Sequence, residues 1–366
     1  MPPNDTNGTT NGVEAPKPAS LIESTSQYRH WRFSQRQLRD IRHASNVAAV
    51  ERVKANVKEE QSAHDEEERP DQAVEYLNWD DERLLVRFYA QRLQEFCRVL
   101  KFSDTVRATS ITFLKRFYLH NTVMDYHPKD ILYACLFLAT KVENEVMPLD
   151  DFASKLRIAD VQSVLSMEFT VCQGIKFEFT IQHPIRPCRG FFLDMQHSTS
   201  DTKALREIYN AAHNLILSSL LTDLCFLYQA PQIALACLQK AASLQHSDIV
   251  DKYIETRLLN TSDTSASTEP GRLAKSDLQR VLKDIQEVLD KDENVSMDVA
   301  RQLDRRLRIC QNPAKNPESA LYKKRQAEKE AAENEKRRQK AKTEERATVP
   351  VETVETAEGE LPMAEL

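Results

Sequence analysis

The stretch HPKDILYACLFLATKVEN, residues 127–144, decides the fold class. It holds no charge from Ile131 to Thr140. Ile131, Leu132, Tyr133, Cys135, Leu136, Phe137, Leu138, Ala139 and Val142 cover every side of one helix. A helix apolar all round is a central one, enclosed by its neighbours. Lys141 and Glu143 then arrive two residues apart. Neither charge is cheaply buried without a partner, so this end of the helix must reach the surface. A lysine there also suits the negative end of the helix dipole.

Working outward, DERLLVRFYAQRLQEFCRVL and SDTVRATSITFLKRFYLHN precede this helix, and LDDFASKL and DVQSVLSMEFTVCQGI follow it. Each carries apolar helical periodicity, giving five helices by about residue 176. KFEFTIQHPIRP then breaks the pattern with Pro184 and Pro187. A second series follows: GFFLDMQH, DTKALREIYNAAHNLILSSLLTDLCFLY, APQIALACLQKAASLQ and KSDLQRVLKDIQEVLD. The two series echo each other. Five residues separate Pro128 from Ala134-Cys135-Leu136, and four separate Pro231 from Ala236-Cys237-Leu238. Each follows an amphipathic helix expected to close on an aromatic, in KRFYL and in CFLY. A repeat of roughly a hundred residues predicts two copies of one helical domain. With 6 glycines and 15 prolines in 366 residues, the expected fold is all-α, two tandem five-helix repeats with extra helices at both ends.

Before the first series, Ser34 and Gln37 have capping-box spacing, and Phe33 and Leu38 that of a hydrophobic staple. A helix from about Gln35 into the fifties follows, with Trp31 and Phe33 expected to anchor it to the folded body. The expected divisions are 1–20, a disordered N-terminus; 21–75, the N-terminal helix and a charged linker; 76–182 and 183–292, the two repeats, the second with a polar insert near 260–272; 293–345, a helical extension; and 346–366, a disordered acidic tail. In the extension, SMDVARQLDRRLRICQ offers Val299, Leu303, Leu307 and Ile309 as a loose apolar face. LYKKRQAEKEAAENEKRRQKAKTEERA is charged all round, either a solvated helix or disordered. Its clusters Lys323, Lys324, Arg325 and Lys336, Arg337, Arg338 have the form of a bipartite nuclear import signal, or of a solvated charge run.

Several function classes lack support. The net charge is −6, a poor default for binding nucleic acid. No uncharged apolar run is long enough to span a membrane, and the N-terminus lacks the apolar core of a signal peptide. The 7 cysteines form no C-x-x-C pair and read as buried thiols in a reducing compartment. H-E-x-x-H, G-x-S-x-G and Gly-rich phosphate loops are absent, and the histidines show no ligand spacing, so no catalytic group, metal or cofactor is expected. Glu168 is the anomaly. Its helical neighbours Val161, Val164, Leu165, Val171, Cys172 and Ile175 are all apolar. Either it has a buried partner within the fold, or its stripe faces another protein.

Over residues 80–245 the chain resembles the cyclin family. FLKRFYLHNTVMDYHPKDILYACLFLATKVEN is similar to the second and third helices of its box, and SVLSMEFTVCQGIKFEFTIQHPIRP to the fifth helix and the crossing into the second box. In that family a lysine ending the third helix and a glutamate on the fifth bind the C-helix region of a kinase. The resemblance carries those roles to Lys141 and Glu168, with Val142, Phe177 and Phe179 as companions. Cell-cycle members carry M-R-A-I-L on the first helix, whose arginine pairs with an aspartate before R-F on the second. Here the first helix reads LLVRFYAQRLQEFC and the residue before Arg116-Phe117 is Lys115. The resemblance therefore does not extend to substrate docking of that kind. KRFY is similar to the transcription-linked branch. YRHWRFS and LDRRLRIC are similar to its cyclin H type (fungal-type), with cyclin C second.

The resemblance implies a regulatory, non-catalytic subunit of a cyclin-dependent kinase of the CDK-activating type. Such a subunit supports activation-segment phosphorylation of other kinases and phosphorylation of the RNA polymerase II tail. The implied partners are that kinase, a ring-finger assembly factor of the same trimer and the core of transcription factor IIH, in the nucleus, with no direct nucleic acid and no membrane. The alternatives are a cyclin C-like Mediator kinase subunit and a non-kinase cyclin-fold transcription factor. The latter predicts an N-terminal zinc ribbon, yet no cysteine precedes Cys97.

Overall fold

The structure, a computed structural model, describes residues 22–62, 74–259, 275–291 and 294–347. The N-terminal stretch 1–20, the insert near 260–272 and the tail beyond 347 lie outside the described residues. The chain divides into two compact units, Met1–Val53 with Asp71–Gln311, and Lys54–Pro70 with Asn312–Leu366.

The first unit opens with α1 (Ser26–His30) and with α2 (Gln35–Ser62) as far as Val53, the rest of that helix belonging to the second unit. Ser34 and Gln37 form the capping box: the Gln37 amide donates to Ser34 Oγ at 3.2 Å, and the Ser34 amide to Gln37 Oε1 at 2.8 Å. Two orphan donors at the helix start are thus satisfied reciprocally. The helix runs past the fifties, where it was expected to end, as far as Ser62.

The first repeat holds α3 (Trp79–Leu100), α4 (Asp104–His120), α5 (Pro128–Val142), α6 (Leu149–Leu156) and α7 (Val161–Gly174). Helix α5 packs on α3, α4 and α7. Every residue from Ile131 to Thr140 on it is buried except Tyr133, which is half-buried. The second repeat holds α8 (Ile185–Met195), α9 (Thr202–Ser219), the short α10 (Leu224–Leu227), α11 (Ala230–Leu244), α12 (Ile249–Tyr253) and α13 (Lys275–Asp290). Helix α11 packs on α8, α9, α12 and α13. The echoed tripeptides are the hearts of the two central helices, since Ala134, Cys135, Leu136, Ala236, Cys237 and Leu238 are all 0% exposed. Proline at the start of each central helix removes an N–H that had no partner there.

Three expectations need correction. The second amphipathic helix does not run to CFLY. It stops at Ser219, and Leu224–Leu227 is a separate helix. The carbonyls of Leu220 and Thr222 instead accept from Lys115 Nζ, and the Thr222 hydroxyl, 2.7 Å from Ser219 O, closes the turn. Pro187 does not break the chain path. It lies in the first turn of α8, where the missing N–H costs nothing. On α14 (Met297–Ile309) the buried face is Ala300, Leu303 and Leu307, while Val299 is 39% and Ile309 71% exposed. Spacings of three and four select Ala300 over its larger neighbour.

In the second unit α15 (Ala320–Ala347) is helical, which resolves the choice left open for this stretch. Arg325 donates to Glu59 at 2.7 Å and to Asn56 at 3.0 Å on α2. Among the described residues no helix is long and apolar enough to cross a membrane, and no group of His, Cys, Asp and Glu could hold a metal ion.

Candidate functional site

Lys141 sits on the last turn of α5 and Glu168 on α7. Lys141 Nζ lies 2.6 Å from Glu168 Oε1, with side chains 39% and 18% exposed. The ammonium also rests 4.3 Å from the centre of the Phe137 ring. Glu168 is not paired with a buried group, since the Lys141 side chain is 39% exposed. It has a partner within the fold, and its apolar stripe is divided between core and surface. Val164, Val171 and Ile175 are buried, whereas Leu165 is 38% exposed. Glu143, the other half of the charge pair, turns inward: Thr109 Oγ1 donates to its carboxylate at 2.6 Å. That hydroxyl has one proton, so His183 Nε2, 2.8 Å away, is the donor to Thr109. Burial, with the charges of Arg116 and Arg186, holds the His183 ring neutral, its pKa pushed down to about 3.

Beside the ion pair lies an aromatic ladder. Phe169 is 60% and Phe177 53% exposed. Their ring centres are 6.0 Å apart. Phe177 is 6.4 Å from Phe179, which is half-buried and 6.3 Å from the buried Phe113. Val142 is half-buried, directly after Lys141. Phe169 escaped the sequence reading. Its signal was its place one turn on from Leu165, next to Glu168.

The turn that presents Phe177 is unusual. Lys176 and Phe177 have φ of 58° and 56°, in the left-handed region that disfavours side chains. The next residue is held from three sides. Trp31 Nε1 donates to Glu178 Oε2 at 2.5 Å, His30 Nδ1 contacts Oε1 of the same carboxylate, and Arg116 donates to the Glu178 carbonyl at 2.9 Å. Trp31 is 1% exposed and lies under the Arg116 guanidinium, 4.6 Å from its ring centre. Burial pulls the Arg116 pKa down to about 10. The Phe33 amide donates to the Phe226 carbonyl at 2.9 Å. The two aromatics therefore fix the N-terminal segment to both repeats.

Arg116 and Lys115, two successive cations of KRFY, are 1% and 7% exposed. Sequence reading treated them as a family mark. In the fold, Lys115 ties the first repeat to the turn after α9, and Arg116 ties it to the N-terminal segment and the turn after α7. The basic residues Lys323, Lys324, Lys336, Arg337 and Arg338 are exposed on α15 in the second unit.

A family model described as the N-terminal domain of cyclin matches residues 53–180, and one described as the cyclin C-terminal domain matches residues 183–290. Cyclin mcs2 of Schizosaccharomyces pombe is 30% identical over 324 residues, 87% of this chain and 94% of that protein. Cyclin CCL1 of Saccharomyces cerevisiae is 34% identical over 258 residues, 69% of this chain and 64% of that protein. Among solved structures, a chain in the CAK complex of Chaetomium thermophilum bound to ATP-γ-S aligns with a TM-score of 0.71 at 26% identity, covering 85% of this chain and 94% of that one. A chain in the yeast TFIIK (Kin28/Ccl1/Tfb3) complex aligns with a TM-score of 0.56 at 28% identity, covering 73% and 99%.

Proposed function

This chain belongs to the cyclin family, and from that premise we propose that it is the regulatory subunit of a CDK-activating kinase. The observation that carries the reading is the Lys141–Glu168 pair at 2.6 Å beside exposed Phe169 and Phe177. Two charges and an apolar ladder on one face suit a protein partner, because rings supply buried area while the charges fix register. Lys141, Glu168, Val142, Phe177 and Phe179, with Phe169 added, form the docking face for the kinase C-helix. The chain supplies no catalytic group. It acts by population shift: docking stabilises the inward C-helix, which brings the kinase's ATP-binding lysine to its glutamate.

The relatives support the finer assignment. The neighbouring folds come from CAK and TFIIK complexes, the latter of three proteins. By analogy the partners are a kinase of the CDK-activating type, a ring-finger assembly factor and the core of transcription factor IIH. The activities are phosphorylation of other kinases' activation segments and of the RNA polymerase II tail. The place of action is the nucleus, with the basic clusters of α15 as the import signal.

Tagged full-length chain should co-purify with one cyclin-dependent kinase, identified by mass spectrometry. Adding the recombinant chain to that kinase should raise phosphorylation of a polymerase-tail peptide and of a second kinase's activation segment. Recovery without any kinase, or a kinase whose activity the chain leaves unchanged, would overturn the reading.

A further inference from the structure

A cavity of about 440 Å³ lies in the first unit, where α2, α3 and α4 meet the turn 221–227 and the end of α13. No residue of the docking face lines it. Its floor is apolar and closed: Leu38, Val86, Ala90 and Leu221 are all buried. Its mouth is polar and open, since Arg39, Arg83 and Lys291 are exposed. A cavity of this size, apolar within and polar at the rim, has the build of a binding site.

Charge selects the ligand. Six cations line the cavity, Arg39, Arg42, Arg83, Arg87, Lys115 and Lys291, against Glu82 and Asp223. Both acids are already engaged. Asp223 accepts two 2.7 Å bonds from Arg42, and Glu82 accepts from Asn46 at 2.9 Å. Lys115 is turned to the carbonyls of Leu220 and Thr222. The available surplus is therefore at the mouth. The Arg39 side chain makes no ion pair with a described residue. Arg83 meets Asp80 only at 3.5 Å, and Lys291 meets Glu287 only at 3.7 Å, all four side chains being well exposed. Ion pairs this long and this wet hold their members weakly, so both cations can be recruited.

We infer that this cavity docks an acidic peptide segment of a partner protein. One bulky apolar side chain sits on the Leu38–Val86–Leu221 floor, and flanking carboxylates meet Arg39, Arg83 and Lys291. A basic segment would be repelled at the mouth, and a purely polar one would leave the floor uncovered. The inference stands on the cavity alone and does not require the kinase reading.

The test is to pan a random-peptide display library on the full-length chain and to measure the recovered peptides by fluorescence anisotropy. They should share one Leu, Ile, Met or Phe flanked by Asp or Glu. The double variant Arg39→Glu, Arg83→Glu should bind them about tenfold or more weakly, as removing two rim charges predicts. The same variant should stimulate the kinase as well as the unaltered chain, which separates this site from the docking face. Recovered peptides without acidic flanks, or equal binding by the charge-reversed variant, would overturn the inference. A synthetic peptide of residues 348–366, with five glutamates and no lysine or arginine, serves as competitor. If it displaces every recovered sequence at equal concentration, the occupant is this chain's own tail and the partner assignment falls.

Discussion

Replacing Glu168 by alanine separates a docking residue from a core residue, because the two roles predict opposite outcomes. In the free chain the carboxylate is 18% exposed and its partner Lys141 39% exposed. A pair this wet contributes at most about 1 kcal/mol. Its loss strands no buried charge, since Lys141 keeps the Phe137 ring and water. Alanine also has the better helix propensity, by a few tenths of a kcal/mol. Its methyl group suits a helix whose neighbouring side chains are Val164, Leu165 and Cys172. Stability should therefore change by no more than about 1 kcal/mol, which moves the melting temperature by about 2–4 °C in a domain of this size. Binding should change more. A carboxylate that meets donors of the kinase loses a charge-assisted hydrogen bond, about 1–3 kcal/mol, or about 5–150-fold in Kd. Thermal melting by circular dichroism and calorimetric titration with the purified kinase give both quantities on one preparation. Lys141→Ala completes a cycle, and the double variant should lose less than the sum if the pair acts as a unit. A stability loss beyond about 3 kcal/mol with unchanged affinity would make Glu168 a core residue and refute the reasoning.

Trp31→Ala should cost about 3–5 kcal/mol, or less if the N-terminal segment undocks first, and limited proteolysis near Arg32 should become fast; unchanged melting and cleavage would show that the anchor is not needed. Gly174→Ala should destabilise by about 1–3 kcal/mol in urea unfolding, because a methyl group there would stand 2.4 Å from Cδ2 of the buried Phe117 ring; a neutral result would mean that the helix end moves freely. Burial raises the Asp223 carboxyl, but the hydrogen bonds and charge of Arg42 outweigh it and bring the pKa down to about 2 from an ordinary 3.8. A depressed acid contributes stability that is complete above the unfolded pKa and lost as pH falls through the folded one. The stability gap between the unaltered chain and Asp223→Asn should therefore be full at pH 5 and shrink by about 2 kcal/mol toward pH 2; a gap independent of pH would exclude the ion pair as its source.

The central helices were legible because burial on every side leaves one possible pattern, an unbroken apolar run, and α5 and α11 both carry it. Lys141 and Glu168 were legible for the converse reason: a charge among apolar neighbours demands an explanation. The same signal was present at Lys115, which stands between Ile111 and Leu119 at helical spacing, both of them buried. Reading KRFY as a family mark hid a lysine that replaces backbone donors for the turn after α9. Phe169 was hidden by the opposite problem. Helix α7 is apolar on more than one side, and periodicity cannot tell an apolar side that the fold covers from one left for a partner. At Ile309 the error had a local cause: large apolar residues drew attention from the small Ala300 that in fact packs.

The turn after α7 shows why the N-terminal segment bears on the proposed docking face although it carries none of the residues proposed to dock. The amide of Lys176 bonds to the Gln173 carbonyl at 2.9 Å, and that of Phe177 to the Cys172 carbonyl at 2.8 Å. A helix end of this kind is built cheaply with glycine, whereas two side-chain-bearing residues in the left-handed region cost about 1–2 kcal/mol each. Such a conformation persists only where its surroundings over-determine it. Here they do, through Glu178. Its carbonyl is held by Arg116 and its carboxylate by Trp31 and His30. Glycine at 177 would ease the backbone but remove the ring that stands 53% exposed beside Phe169. The side chain that a partner would read is thus kept at the cost of backbone strain. The restraint on the Glu178 carboxylate comes from residues about 150 positions earlier in the chain. Loosening that restraint should let the turn relax and withdraw Phe177 without touching the Lys141–Glu168 pair, so ring presentation and charge presentation on this face rest on separate supports.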